Sequence, residues 1–414
     1  MSERERAKVS VRPGSLTSEG GHTSRQLHVI PYYAPATQFG GVQTVTHRLA
    51  EAMAARGHEV TVLTTDVASR SARLAAPRER LNGVDVVRVP NRSQALVRAN
   101  LYTPRDFRRH AAALVASHDF VHVHDVFNWL TYVAIDEAAR QHKPSILSSD
   151  NLLGFHGRPE RVLARRLLYR LLGRPTVARA SLVQALLPGE LDPAALGIEP
   201  ERIRVIHNGV AMPPPPGDAA RFRARFGITA PIIVLFVGQL LYGKGVDLLL
   251  AAAKSLVAGG RDDLAFVFVG FPGAEWTTLA GATPPPYVTT TGFLEGDALA
   301  DARAAASLYV LPSRADRTPM TALEALSYGL PSLLSRDCHM PDVATAGAGL
   351  VVDATETAVT AGLTALLARR AQWPAMAAAA RQLVADRYAL DRIHDQYERM
   401  YAELLEHAGR ARTC

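Results

Sequence analysis

Short runs of Val, Ile and Leu, each followed by a longer amphipathic stretch, recur along most of the chain. This alternation limits the available folds more than any other feature. "LHVIPYY" (27–33), "HEVTVLTT" (58–65), "VDVVRV" (84–89), "DFVHVH" (119–124) and "PSILSS" (144–149) have strand length and β-branched content. Helical periods such as "VQTVTHRLAEAMAARG" (42–57) and "FNWLTYVAIDEAARQH" (127–142) lie between them. Buried apolar strands that alternate with helices predict a parallel sheet covered on both faces. "AMPPPPGDAA" (211–220) interrupts the series, because four successive prolines continue neither a helix nor a central strand. The alternation restarts at "PIIVLFVG" (231–238) and continues through "LAFVFVG" (264–270), "YVTTTGF", "SLYVLPS" (307–313) and "PSLLS". The expected fold class is α/β, with two doubly wound Rossmann-like domains in tandem. Open sheets of this kind take ligands at the carboxyl ends of their strands, which makes the cleft between the domains the expected site.

The expected organisation follows. Residues 1–26 are a polar, disordered lead-in without the apolar core of a signal peptide. Residues 27–210 form the first domain, 211–220 a stiff linker, 221–388 the second domain, and 389–414 a closing helix. Two cysteines, Cys338 and Cys414, exclude a disulfide framework or a Cys-rich zinc site and suit a reducing cytoplasm. No apolar run reaches the roughly 18–20 residues that span a bilayer. A net charge of +7 and a pI of about 9.6 favour an anionic partner.

Two glycine turns can meet phosphate. Gly40 and Gly41 sit between the first strand and the first helix, where backbone N–H groups can approach an anion. The full dinucleotide fingerprint G-x-G-x-x-G is absent there, which argues against NAD. In "VGQLLYGKGVDLLL", Gly238, Gly243 and Lys244 nearly match a phosphate-binding loop, but Gly245 stands where a Mg²⁺-holding Ser or Thr belongs, which argues against ATP hydrolysis. What survives is an anion site: Lys244 as a point charge and the turn as a source of backbone donors.

"DRTPMTALEALSYGLP" (316–331) supplies a second anion site. Thr318 is the expected N-cap and Pro319 the first helical residue, with Gly329-Leu330-Pro331 as the stop. The free N–H groups of Met320 and Thr321 then face outward at the positive end of the helix dipole. Asp316 precedes the tip, and Glu324 lies roughly 7–8 Å along the axis. A diphosphate at the tip would have one carboxylate on each side, which suits a ligand with hydroxyl-bearing groups at both ends. His122 and His124 end the strand "DFVHVH" on one face, with the carboxyl end toward the cleft. No Asp-x-Asp pair and no zinc-spaced His cluster is present, so no metal or other cofactor is expected. "GRPERVLARRLLYRLLGRPTVAR" (157–179) is a basic amphipathic helix. It suits an anionic membrane surface or a core-facing helix with a solvated basic face. Nucleic acid is not expected, since no aromatic interleaving accompanies the charge.

The order and spacing of "GGVQTVTHRLAEAMAARGHEVTVLTT", "DFVHVH", "ERIRVIHNGV", "FVGQLLYGKGVDLLLAA", "VTTTGFLEGDALADARAAASLYVLPS" and "DRTPMTALEALSYGLPSLLS" resemble the retaining glycosyltransferases of family 4, which have the GT-B fold. The resemblance covers nearly the whole chain after the tail. It implies a metal-independent enzyme that moves a hexose-type sugar from a UDP-, GDP-, ADP- or dTDP-linked donor to a hydroxyl acceptor. Such an enzyme would serve polysaccharide, glycolipid or secondary-metabolite synthesis, in the cytoplasm or at the inner membrane face. By the same resemblance Gly41 lies near the donor diphosphate, His124 contacts the donor sugar, and Lys244 neutralises the diphosphate. Phe293 and Leu294 hold the base through their backbone. Asp316 meets the sugar, Pro319, Met320 and Thr321 carry the phosphate-binding helix start, and Glu324 binds the ribose. The closing helix packs back on the first domain. Three departures stand out. Gln239 occupies the usual place of an Arg. Asp316 is one methylene shorter than the usual Glu. "SSDN" (148–151) carries Asp150 where a His is usual, on the acceptor side with Arg158. A GT-B epimerase or pseudo-transferase, or a non-catalytic sugar-nucleotide-binding subunit, would use the same clasp.

Overall fold

A computed structural model describes residues 23–36, 41–69, 71–98, 101–126, 128–149, 167, 169–273, 275–281 and 283–413. Its strands form two sheets. The first contains β1 (Arg25–Val29), β2 (Glu59–Thr65), β3 (Arg78–Leu81), β4 (Val84–Val89), β5 (Phe120–His124), β6 (Ser145–Ser148), β7 (Leu182–Ala185) and β8 (Ile203–Val205), in the order β3-β4-β2-β1-β5-β6-β7-β8. The second contains β9 (Ile232–Val237), β10 (Leu264–Val269), β11 (Val288–Gly292), β12 (Leu308–Leu311), β13 (Ser332–Ser335) and β14 (Gly349–Val352), in the order β11-β10-β9-β12-β13-β14. Between these named strands every pairing is parallel except β3 with β4. Parallel strands buried on both faces explain why β9 and β10 are unbroken apolar runs. The antiparallel β3 reads RERL and alternates exposed with half-buried residues, as a charged edge strand does.

Each sheet reverses its winding once, between β1 and β5 in the first and between β9 and β12 in the second. At such a switch point the flanking connections leave on opposite faces and open a crevice at the carboxyl ends. "VGQ" (237–239) and "PSR" (312–314) emerge at the second crevice, which is how two segments about 75 residues apart come to share one site.

The chain crosses between domains twice, side by side. Val210 N–H donates to Tyr388 O (2.8 Å), and Leu390 N–H donates to Val210 O (3.0 Å). Beyond that crossing the last helix, Leu390–Thr413, returns to the first domain. Its Ile393, Tyr397, Met400, Tyr401 and Leu404 are buried in one cluster with Ile30, Leu49, Met53, Phe120 and Ile146. Arg56–Asp395 (2.7 Å) and Arg204–Glu403 (3.2 Å) pair along its edges. Among the described residues, no helix is long and apolar enough to cross a membrane.

Candidate functional site

A cavity of about 1410 Å³ opens between the two domains at the carboxyl ends of the second sheet. Clefts for one small ligand hold roughly 300–1,000 Å³, so this volume suits two substrates side by side. Val42 and Val45 of α1 (Gly41–Ala55), residues 186–190 and Asn208 line it from the first domain. Gly238, Gln239, Lys244, Phe271, Phe293, Leu294, Arg303 and the run 314–321 line it from the second, together with Glu324.

Lys244 stands on a single 3₁₀ turn that leads into α2 (Val246–Ala258). Gly245, at φ 71°, makes the join. A Cβ there would lie 1.9 Å from the carbonyl oxygen of Pro312, so neither the Ser nor the Thr of a phosphate-binding loop fits. Lys244 Nζ donates to Asp316 Oδ2 at 2.7 Å, a contact between residues 72 apart in sequence. Arg314 clamps Asp247 with two bonds of 2.7 Å and lies 3.8 Å over the Tyr242 ring, which fixes the turn that carries Lys244.

The tip of α3 (Met320–Ser327) departs from expectation in one respect. Pro319, not Thr318, occupies the cap position, and the helix begins at Met320. Thr318 adopts the left-handed region at φ 46°, and its hydroxyl makes no capping bond to the helix amides. The physical cause is a pair of backbone bonds to the neighbouring loop, Asp316 N–H to Asp337 O (3.0 Å) and Thr318 N–H to Cys338 O (3.1 Å). Ala322 and Leu323 are the first residues to donate back into the helix, both to Pro319 O (2.9 and 3.1 Å). Helix geometry therefore leaves the N–H groups of Met320 and Thr321 for a ligand. Glu324, one turn on, receives Arg303, whose side chain is 8% exposed.

Each cation in this wall is paired: Lys244 with Asp316, Arg303 with Glu324, Arg314 with Asp247, and Arg317 with Glu190. The last pair, at 2.8 Å, joins the two domains. The Glu190 side chain is 2% exposed and also accepts from the N–H groups of Leu186 (2.7 Å) and Leu187 (3.1 Å). Sequence reasoning missed Arg303 and Arg317, because a lone Arg within a helical period or a loop carries no sign of what it will face. It also missed Phe271, whose ring stacks on Phe293 at 4.8 Å and 7° with both rings exposed at the cavity wall. Leu294 is buried, and Gln239 is exposed at the wall and carries no charge.

Three other expected site residues, Gly40, Asp150 and Arg158, lie outside the described residues, as do residues 157–166 of the basic stretch. The remainder of that stretch is helical from Tyr169 to Arg179, with Leu167 (57%) and Leu171 (62%) exposed.

His124 ends β5 at the first switch point, 3% exposed, and is not among the residues that line the cavity. Its ring stacks on His28 at 9°, and His28 Nδ1 and His124 Nε2 share a proton at 3.1 Å. His122 bonds the Tyr401 hydroxyl and Ser148 Oγ, each at 2.8 Å. His28 joins these two only through sheet register, His28 beside His122, so no spacing along the chain announced the cluster. Burial, and then the neighbouring imidazoles, hold His122 well below its ordinary pKa. Burial and then His118 push His28 down to about 3. Nitrogens of the three rings lie within 4.8 Å of one another, which would suit a metal ion. The rings also bond each other, Gln26, Ser148 and Tyr401, and so form a buried hydrogen-bonded network.

Comparison with known proteins places these features. Residues 39–212 match the family described as Glycosyltransferase Family 4, and residues 231–386 match Glycosyl transferases group 1. A D-inositol 3-phosphate glycosyltransferase of Acidothermus cellulolyticus is 32% identical over 178 residues, 39% of either chain. The similar protein of Catenulispora acidiphila is matched over 43% of its length, so the chain spans about two fifths of these curated relatives. Among solved structures, sucrose-phosphate synthase from Thermosynechococcus elongatus superposes with a TM-score of 0.71 at 19% identity, over 92% of this chain and 99% of that one. Anabaena Alr3699/HepE in complex with UDP gives 0.66 at 16% identity, over 92% and 100%.

Proposed function

The chain belongs to the family 4, or group 1, glycosyltransferases and has the GT-B fold, and from that premise we propose that it moves a hexose-type sugar from a nucleotide-activated donor to a hydroxyl acceptor. The observation that carries the reading is the order of groups along one wall of the cavity. Lys244 and Asp316 stand in contact, the open N–H groups of Met320 and Thr321 follow, and Glu324 comes last. A sugar, a diphosphate and a ribose match that order. The UDP bound by the Anabaena protein supports a nucleotide ligand, and the relatives' names as glycosyltransferases support sugar transfer.

In this reading the sugar lies at Asp316, its diphosphate at Lys244 and the tip of α3, and its ribose at Glu324. Phe271 and Phe293 offer a flat apolar surface for the base. Arg303 holds Glu324 in place and puts a cation near the diphosphate, where Gln239 supplies none. Donor charge is met by preorganised N–H groups and Lys244 without a metal ion. The acceptor hydroxyl approaches from the first domain on the face from which the diphosphate leaves, which retains the sugar's configuration. His124 acts here through the buried network behind the cleft. The setting is cytoplasmic. Exposed Leu167 and Leu171 beside Arg170 and Arg174 would rest on an anionic membrane surface at its inner face.

A ligand that binds only the folded state raises its stability. The protein is therefore expected to melt several degrees higher with one of UDP-, GDP-, ADP- or dTDP-glucose, and to release the matching nucleoside diphosphate slowly with water as acceptor. A protein that no nucleotide sugar stabilises refutes the reading. Stabilisation without turnover across a broad acceptor panel favours a binding subunit instead, and product analysis identifies an epimerase. For the membrane, pelleting with vesicles that contain phosphatidylglycerol is expected to fall several-fold when Leu167 and Leu171 are both replaced by Glu. Equal pelleting of the variant and the parent protein rules out that surface.

A further inference from the structure

We propose that Thr318 is a ligand of the donor, its hydroxyl donating to the phosphate that carries the sugar. This rests on the glycosyl-transfer reading above and adds to it a residue that neither helix-capping rules nor the family resemblance assigns. Thr318 lies between Asp316 and Met320, so it sits where sugar meets phosphate. It lines the cavity, is 1% exposed, and its Oγ1 has no hydrogen-bond partner among the described residues. A buried hydroxyl left unpaired costs free energy, and native folds keep few of them. The neighbouring Thr321 shows the ordinary arrangement, its Oγ1 accepting from the Tyr309 hydroxyl at 2.9 Å.

The backbone gives a second, independent sign. A β-branched residue at φ 46° is rare, and such strain persists only where the surroundings impose it. Here both domains impose it. Cys338 O holds the Thr318 amide from the second domain at 3.1 Å, and Asn208 Nδ2 reaches the Thr318 carbonyl from the first at 3.4 Å. Arg317, next in the chain, is tied to Glu190. The segment is thus locked in a conformation that keeps one hydroxyl unpartnered in the cavity wall that also carries two open amides and a lysine. Donors converging in this way call for an oxyanion.

The step is balanced as follows. The bond between the sugar's anomeric carbon and the phosphate oxygen breaks, and its electron pair stays on that oxygen. The acceptor oxygen bonds to the anomeric carbon, and the acceptor proton passes to the departing phosphate. The Thr318 hydroxyl donates to this phosphate throughout, and its bond strengthens as charge develops.

Thr318→Val keeps the β-branch and the backbone strain and removes only the hydroxyl, whereas Thr318→Ser keeps the hydroxyl. With the glucose nucleotide that stabilises wild type most, Thr318→Val is expected to lower kcat for diphosphate release about 100-fold. KM should stay within about threefold, and Thr318→Ser should remain within about threefold of wild type in both. Without ligand, Thr318→Val is expected to melt no lower than wild type, because an unpaired hydroxyl leaves the interior. Unchanged kcat in Thr318→Val overturns the proposal. So does a lower ligand-free melting temperature combined with equal loss in both variants, since the hydroxyl would then be a structural bond. If wild type is stabilised by none of UDP-, GDP-, ADP- or dTDP-glucose, the transfer reading itself has failed and the Thr318 assignment falls with it.

Discussion

Lys244→Ala is expected to lower the rate of nucleoside diphosphate release by about 10²–10³-fold, the usual cost of removing one preorganised partner of developing negative charge. The loss has two physical parts. The cation that faces the leaving diphosphate disappears, and the Asp316 carboxylate, held at 2.7 Å by Lys244 Nζ, is left bare beside the same anion. Ligand-free stability should scarcely change. The pair is partly exposed, at 30% and 15% for its two side chains, and such pairs contribute about 0–1 kcal/mol. The second part of the loss is separable. Asp316→Asn added to Lys244→Ala removes the repulsion, so the double variant should bind nucleoside diphosphate more tightly than Lys244→Ala alone. Steady-state release assays and calorimetry with nucleoside diphosphate check both statements. Turnover equal to wild type in Lys244→Ala would show that the turn after β9 is not the diphosphate site.

Acid should destabilise the protein steeply through the histidine network under the last helix. His28, His122 and His124 are neutral in the fold, with pKa values held below the ordinary 6.5, chiefly by burial. A depressed histidine pKa means that the unfolded chain binds more protons. The stabilisation is therefore complete above about pH 6.5 and is lost as pH falls from there toward the folded values, about 3 for His28. At pH 5 His28 costs about 2 kcal/mol, at 1.36 kcal/mol per pH unit, and His122 and His124 act in the same direction. That is a large part of the typical 5–15 kcal/mol stability of a folded domain. Among the described residues, the groups that face them offer no carboxylate to offset the charge. They are Gln26 and His118 from the sheet side, Ser148 from β6, and Tyr397 and Tyr401 from the last helix. Urea unfolding at pH 7.5, 6 and 5 tests this. Wild type should lose stability across the range, and His28→Gln should lose about 2 kcal/mol less between pH 7.5 and 5. Equal pH dependence in the two proteins would show that His28 does not bear the proton load.

Much of the candidate site was legible from local rules. A strand, a glycine turn and a lysine announce Lys244. Proline after a small polar residue, followed by a helical apolar period, announces the tip with its free amides at Met320 and Thr321. The acid spacing of Asp316 and Glu324 comes from helix rise alone. What local rules misplace is Thr318. A capping preference weighs one side chain against the amides next to it, and it cannot see Cys338 and Asn208 pulling the backbone into the left-handed region. The short strands β3, β7, β8 and β14 were likewise missed, whereas β6, β12 and β13, also four residues long, lie within the runs PSILSS, SLYVLPS and PSLLS that marked them.

The sequence by itself determined the class of fold, the two domains and the presence of a glycine turn and a helix tip with open amides in the second, because these follow from hydrophobic period, proline and glycine along a continuous segment. Only the tertiary structure decided that Lys244 rests on Asp316 and Arg303 on Glu324, that Arg317 reaches Glu190 across the cleft, and that His28 completes a buried histidine network. Each of these is a contact between side chains distant in sequence. It is set by strand order and register, in which the residue types along the chain take no local part.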